Sequence, residues 1–173
     1  ARNPYNLAKD TGILALNWSK GIWGGDKIYV DFTLKPNVKW HDGTLLTAED
    51  VEWGIEFIRD CGPGVAWNYP MVSEVDDVVV LTGGSGGKVR VKFATGSYWA
   101  VHMVGYLEFP SKKIWTAADA AHGWGYDPVA HDFVDVMKVR DYKPYDEDVY
   151  NKNTGGSGSD GIKDLAQDGT GPW

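Results

Sequence analysis

Lys35 to Val51 reads KPNVKWHDGTLLTAEDV, and the reading of this run decides the fold. Just before it, residues 27–34, KIYVDFTL, alternate: Ile28, Val30, Phe32 and Leu34 face one way, Tyr29, Asp31 and Thr33 the other. That period of two predicts a half-buried strand. Pro36 ends it, and Asp42-Gly43 is turn chemistry. Thr47 then makes a good N-cap and, with Asp50 three residues on, approximates a capping box, while Glu49 and Glu52 put negative charge in the first turn. Val51, Ile55 and Ile58 follow at helical spacing until Gly62-Pro63 stops the helix.

His41 and Asp42 invite a second reading, as a base and its orienting carboxylate. Adjacent residues leaving a strand point in opposing directions, which suits that pairing poorly. The structural reading is favoured: Asp42 bonds turn amides and Gly43 supplies a positive φ.

Outside this region the chain reads as one domain. It has 173 residues, 43% of them apolar, with nine Trp and nine Tyr, enough to bury a core. A net charge of -7 without a basic stripe argues against nucleic acid. One cysteine, Cys61, leaves no internal disulfide or CxxC zinc site, and no apolar run reaches membrane-spanning length. The first residue is Ala1, which suits a processed chain or an excised fragment.

Along the chain, VDDVVVL at 75–81 and KVRVKF at 88–93 flank TGGSGG as a hairpin. SYWAVHMVGYL at 97–107 is expected to be helical, as are Thr116–Ala121 and Pro128–Val139. Residues 141–161 lose periodicity and read as a long polar loop. The tracts at 83–87, GGSGG, and 155–159, GGSGS, have flexible-linker composition. They are either natural glycine-rich loops or engineered loop replacements. Both produce formal motif matches that fail on context. Ser85 in GxSxG precedes a strand where a nucleophile elbow needs a helix. Gly156, Gly158 and Gly161 lack the strand a dinucleotide fingerprint requires. His122 and His131 with Asp119, Asp127 and Asp132 have no recognised ligand spacing, so no metal is expected.

The run from YVDFTL through VKWHDG to TAEDV resembles the signature of the extracytoplasmic solute-binding proteins (family 5) of the oligopeptide, dipeptide and nickel ABC importers. Trp40, His41, Asp42, Gly43, Thr47 and Asp50 carry it as structural signature residues. NWSKGIWGGDKIYVDFTL, EVDDVVVL, KVRVKF, LEFPSKKIW and DGTGPW resemble further family segments in the same order. The resemblance implies that residues 1–173 are a partial chain, the extra subdomain of lobe one in a type II periplasmic-binding-protein fold. The expected class is α+β, α/β-like, with a small mixed or antiparallel sheet, a β-hairpin and several packed helices.

The implied function is capture of oligopeptides outside the membrane, periplasmic or lipid-anchored, for delivery to a membrane ABC permease, with little affinity left in the fragment. An oligosaccharide ligand and a non-binding structural or protein-interaction module are the alternatives; no enzyme activity and no cofactor are expected. Trp67, Tyr69, Tyr98 and Trp99 are the candidate ligand-binding residues, as aromatics able to line a cleft wall. Packing in the subdomain's own core is the competing role for them. A surface uncovered by truncation would favour self-association.

Overall fold

The computed structural model describes residues 2–3, 6–10, 14–40, 42–108 and 110–141. Two short strands, β1 (Arg2–Asn3) and β2 (Asn6–Asp10), pair with each other. The main sheet then begins with β3 (Ala15–Trp23) and β4 (Lys27–Leu34), joined by a turn in which Gly24 and Gly25 take φ of 55° and 98°. No strand was expected where β3 lies. None of its residues is buried, so its pattern is not that of a half-buried strand.

From β4 the chain passes through the HDG turn into α1 (Ala48–Cys61) and returns as the hairpin β5 (Val75–Thr82) and β6 (Lys88–Phe93). β6 inserts beside β4, giving the order β3-β4-β6-β5 with every pairing antiparallel. Val89, Val91 and Phe93 are fully buried under α1, whose Val51, Ile55 and Ile58 close the same core with Ile28, Val30 and Val78.

Helix α1 is buried on a second side as well. Trp53, Phe57 and Cys61, spaced four apart, enter an aromatic cluster with Ala118, Trp124 and Val139. Trp53 stacks on Phe57 at 4.8 Å, and Phe57 meets Tyr126 edge-on at 5.1 Å. Burial pushes the Cys61 thiol up to about 12, which leaves it inert.

The remaining elements are α2 (Tyr98–Gly105), α3 (Lys112–His122), the hairpin β7 (Tyr126–Asp127) and β8 (Asp132–Phe133), and α4 (Met137–Asp141). α3 starts before the expected Thr116, because Ser111 follows Pro110 and takes the extended N-cap conformation. The helix expected over Pro128–Val139 is instead a hairpin and one short helix. Asp127 Oδ1 accepts from the Val129 and Ala130 amides at 2.8 and 3.1 Å, and His131 takes φ 55°, so the chain turns back. The expected loop beyond Asp141 and the 155–159 tract lie outside the described residues.

Candidate functional site

The HDG turn sits between strand and helix as a small closed loop. Trp40 N donates to Thr44 O at 2.9 Å, Gly43 N to Trp40 O at 3.0 Å, and Leu46 N to Val38 O at 2.9 Å. Trp40 is buried and Gly43 takes φ 85°. Asp42 Oδ1 accepts from Thr44 N at 2.8 Å, and its other oxygen receives the Lys113 ammonium from α3. Lys113 first, and Thr44 after it, hold the Asp42 carboxyl down at about 2. His41 lies outside the described residues. Thr47 Oγ1 accepts from Asp50 N at 3.2 Å while Asp50 Oδ2 accepts from Thr47 N at 2.9 Å, a reciprocal capping box. Every described member of this group is engaged in holding strand to helix.

The Gly83–Gly87 tract is bonded into the same corner. Gly84 N donates to Glu49, Gly84 O accepts from Ala48 N at 3.2 Å, Gly87 O accepts from Leu34 N at 2.8 Å, and Ser85 Oγ accepts from Asn37 N at 3.0 Å. Ser85 therefore caps a backbone amide, with no histidine beside it among these contacts.

The aromatic candidates lie elsewhere. Gly62 (φ 73°) and Gly64 (φ 85°) turn the chain out of α1, and Tyr69–Met71 form one 3-10 turn. Asn68 is buried, and its Nδ2 donates to Glu108 O at 2.8 Å, fastening this loop to the segment after α2. Between these anchors Trp67 stands 74% exposed, and Trp99 in the first turn of α2 is 68% exposed. Tyr69 is half-buried against the main core, and Tyr98 opens α2. A cleft of about 310 Å³ is lined by Pro63, Val65, Ala66, Trp67, Tyr69 and Pro70. Core packing explains Tyr69 but neither exposed indole.

A second group went unseen in the sequence. Asp60 Oδ2 accepts from Tyr126 Oη at 2.7 Å and lies 2.9 Å from His131 Nδ1, a nitrogen that is also 3.2 Å from Arg59 Nη2, while Oδ1 accepts from Arg59 Nε at 3.1 Å. Through these contacts the carboxylate clasps the β7-β8 hairpin to α1. Beside it, burial pushes Glu56 up to about 7 against the opposing pull of Arg59. Burial, then Asp60, also raises the Tyr126 hydroxyl. The histidine and the aspartate are 71 residues apart, and no spacing rule joins them. Asp119, read as a possible ligand, accepts from the Gly125 and Tyr126 amides at 2.6 and 2.8 Å. Among the described residues no group of three or more His, Cys, Asp or Glu is placed to hold a metal ion.

These observations define an α+β unit that displays aromatic side chains from a loop and a helix start. Residues 12–159 match the family model described as bacterial extracellular solute-binding proteins, family 5 Middle. The chain belongs to that family. Among solved structures it is similar to NikZ from Campylobacter jejuni in complex with Ni(L-His), at 22% identity and a TM-score of 0.43, over 53% of this chain and 17% of that one. It is also similar to the oligopeptide binding protein from Thermus thermophilus complexed with a pentapeptide, at 22% identity and a TM-score of 0.47, over 92% of this chain and 26% of that one. The matched part of the chain thus spans 17% and 26% of the length of these two solved proteins. No curated protein matches it. No described helix is long and apolar enough to cross a membrane.

Proposed function

We propose that this chain is the part of a solute-binding protein that offers an aromatic wall to an oligopeptide captured outside the membrane. The observation that carries the reading is the exposure of Trp67 and Trp99, at 74% and 68%, on a chain of a solute-binding family. Large indoles left in water by a stable fold are suited to contact with another molecule. Anchoring by Asn68 holds the Trp67 loop beforehand, which lowers the ordering cost of binding.

The reading is of a binding protein and not an enzyme. The parent protein delivers its solute to an ABC permease from a periplasmic or surface-anchored position. The chain alone binds weakly, since a wall without its opposite lobe buries little of a ligand. The two exposed indoles equally suit stacking on sugar rings, so an oligosaccharide is the second reading.

Calorimetric titration separates these readings. The chain, and its Trp67→Ala and Trp99→Ala variants, are titrated with a mixed peptide digest and then with cello- and malto-oligosaccharides. Heat from peptides alone, reduced in both variants, supports the proposal. Heat from sugars alone transfers it to the second reading. Silence from a folded chain, checked by circular dichroism, overturns both in favour of a non-binding structural module.

A further inference from the structure

The end of α1 meets the β7-β8 hairpin at a ring nitrogen with two neighbours of opposite kind. His131 Nδ1 lies 2.9 Å from Asp60 Oδ2, an acceptor, and 3.2 Å from Arg59 Nη2, a donor. One nitrogen cannot serve both. With a proton it donates to the carboxylate and opposes the guanidinium; without one it accepts from the guanidinium and opposes the carboxylate. Imidazole is the side chain that ordinarily changes charge between about pH 5 and 8. The His131 side chain is 42% exposed, so solvent protons reach it, whereas the Asp60 side chain is 5% exposed and depends on its protein partners.

We infer that His131 is a pH-sensitive latch on the β7-β8 hairpin. Protonated, it forms an ion pair with Asp60 that ties the hairpin to α1. Deprotonated, its Nδ1 turns acceptor for Arg59 Nη2, and Tyr126 Oη remains on Asp60. The hairpin therefore loosens as pH rises, because an ion pair to a buried carboxylate gives way to a bond with one charged partner. The charged groups around the latch come from three elements. On α1, Glu56 Oε1 stands 3.9 Å from the same Arg59 Nη2, and Glu52, one turn back, accepts from Val80 N. β5 offers the Asp76 carbonyl, which accepts from Arg59 Nη1 at 3.1 Å. On the hairpin, Asp127, held by the Val129 and Ala130 amides, also faces His131. When His131 takes a proton, Arg59 Nη2 is released toward Glu56; when His131 loses it, the two compete for that donor.

Amide hydrogen exchange of the full chain, followed by NMR at about pH 5 and about pH 8, tests this. The amides to follow are Val134 N and Asp135 N, which donate across the hairpin to Gly125 O at 3.2 Å and Trp124 O at 3.0 Å. Their protection, taken relative to Val89 and Val91 in β6, should fall roughly threefold or more between the two conditions. Glu56, pushed up to about 7 chiefly by burial, titrates in the same window, so two variants assign the effect. Glu56→Gln should keep the fall. His131→Asn should abolish it while β6 stays protected, since Asn does not titrate and tolerates the φ of 55° at this position. Two-bond proton–nitrogen spectra of the His131 ring should show Nδ1 without a proton at the higher pH. Equal relative protection at both pH values overturns the inference. So does a fall that persists in His131→Asn or vanishes in Glu56→Gln, or a neutral ring that keeps its proton on Nδ1.

Discussion

Asp31 and Arg90 occupy one register position on neighbouring strands, β4 and β6, and bind side to side through two parallel bonds of 2.7 and 3.0 Å. The guanidinium also lies 3.9 Å from the centre of the Tyr29 ring. Asp31 is buried on the sheet face opposite the core, where the alternation of β4 calls for a residue in water. The pair makes that position tenable, and the Arg90 hydrogen bond lowers the Asp31 carboxyl below its usual range.

Arg90→Ala should therefore lower unfolding stability by about 1–3 kcal/mol, since it strands a partly buried carboxylate. Arg90→Lys should restore less than half of the loss, because an ammonium offers neither the fork nor the flat face. Urea unfolding of the three proteins measures both. Equal stability of Arg90→Lys and the wild type would refute the role given to the planar fork.

The capping box makes a second expectation. Thr47→Ala removes the hydroxyl that accepts from Asp50 N and should cost about 1–2 kcal/mol. Thr47→Ser should retain most of it. Thermal unfolding followed by circular dichroism distinguishes them.

Glu56 gives the pH dependence a sign. Its carboxyl, ordinarily at 4.5, stands at about 7 in the folded chain, chiefly through burial. Arg59 and His131 oppose the shift, while Glu52 and Asp60 add to it. An acid that holds its proton more tightly when folded contributes stability below its unfolded value, and that contribution is lost as pH rises through the folded one. Glu56→Gln should thus match the wild type near the lower value and exceed its melting temperature by about 3 °C or more above the upper one. A gap that is constant across this window would contradict the assignment.

The Gly83–Gly87 corner supplies a contrast between two glycines. A Cβ on Gly87 would lie 2.2 Å from Thr82 O, 2.8 Å from Gly84 O and 3.0 Å from Ala48 Cβ, so backbone must move. A Cβ on Gly84 meets nothing within 4 Å, though its φ of 80° is costly for any other residue. Gly87→Ala should lose roughly 3 kcal/mol and Gly84→Ala roughly 1 kcal/mol. Chemical denaturation reads the difference, and the reverse order would show that the corner yields freely.

The elements legible in the sequence are those whose cause is local. Alternation in residues 27–34 and 88–93, the Thr47–Asp50 cap and the Asp42-Gly43 turn each follow from neighbours a few positions apart, and the family signature lies in the same run. The β7-β8 hairpin was misread as helix because Asp127, the residue that turns the chain, looks in sequence like any helix-opening acid. β3 went unseen because an outer strand with exposed side chains leaves no periodic mark.

For the aromatic candidates, the binding function implied by the family resemblance nominated Trp67, Tyr69, Tyr98 and Trp99 without ranking them. Only the packing of the loop against the core separated half-buried Tyr69 from the two indoles in water.

The sequence by itself determined the α+β class, the capped helix and the family, since each rests on short-range patterns of polarity and turn chemistry. The tertiary structure alone decided that α1 is buried on two sides, that Asp60 gathers Tyr126 and His131 from beyond α3, and that a glycine tract fits a helix start. Those contacts join residues tens of positions apart. Their free energy comes from burial and saturated hydrogen bonds, which exist only once the chain has closed on itself.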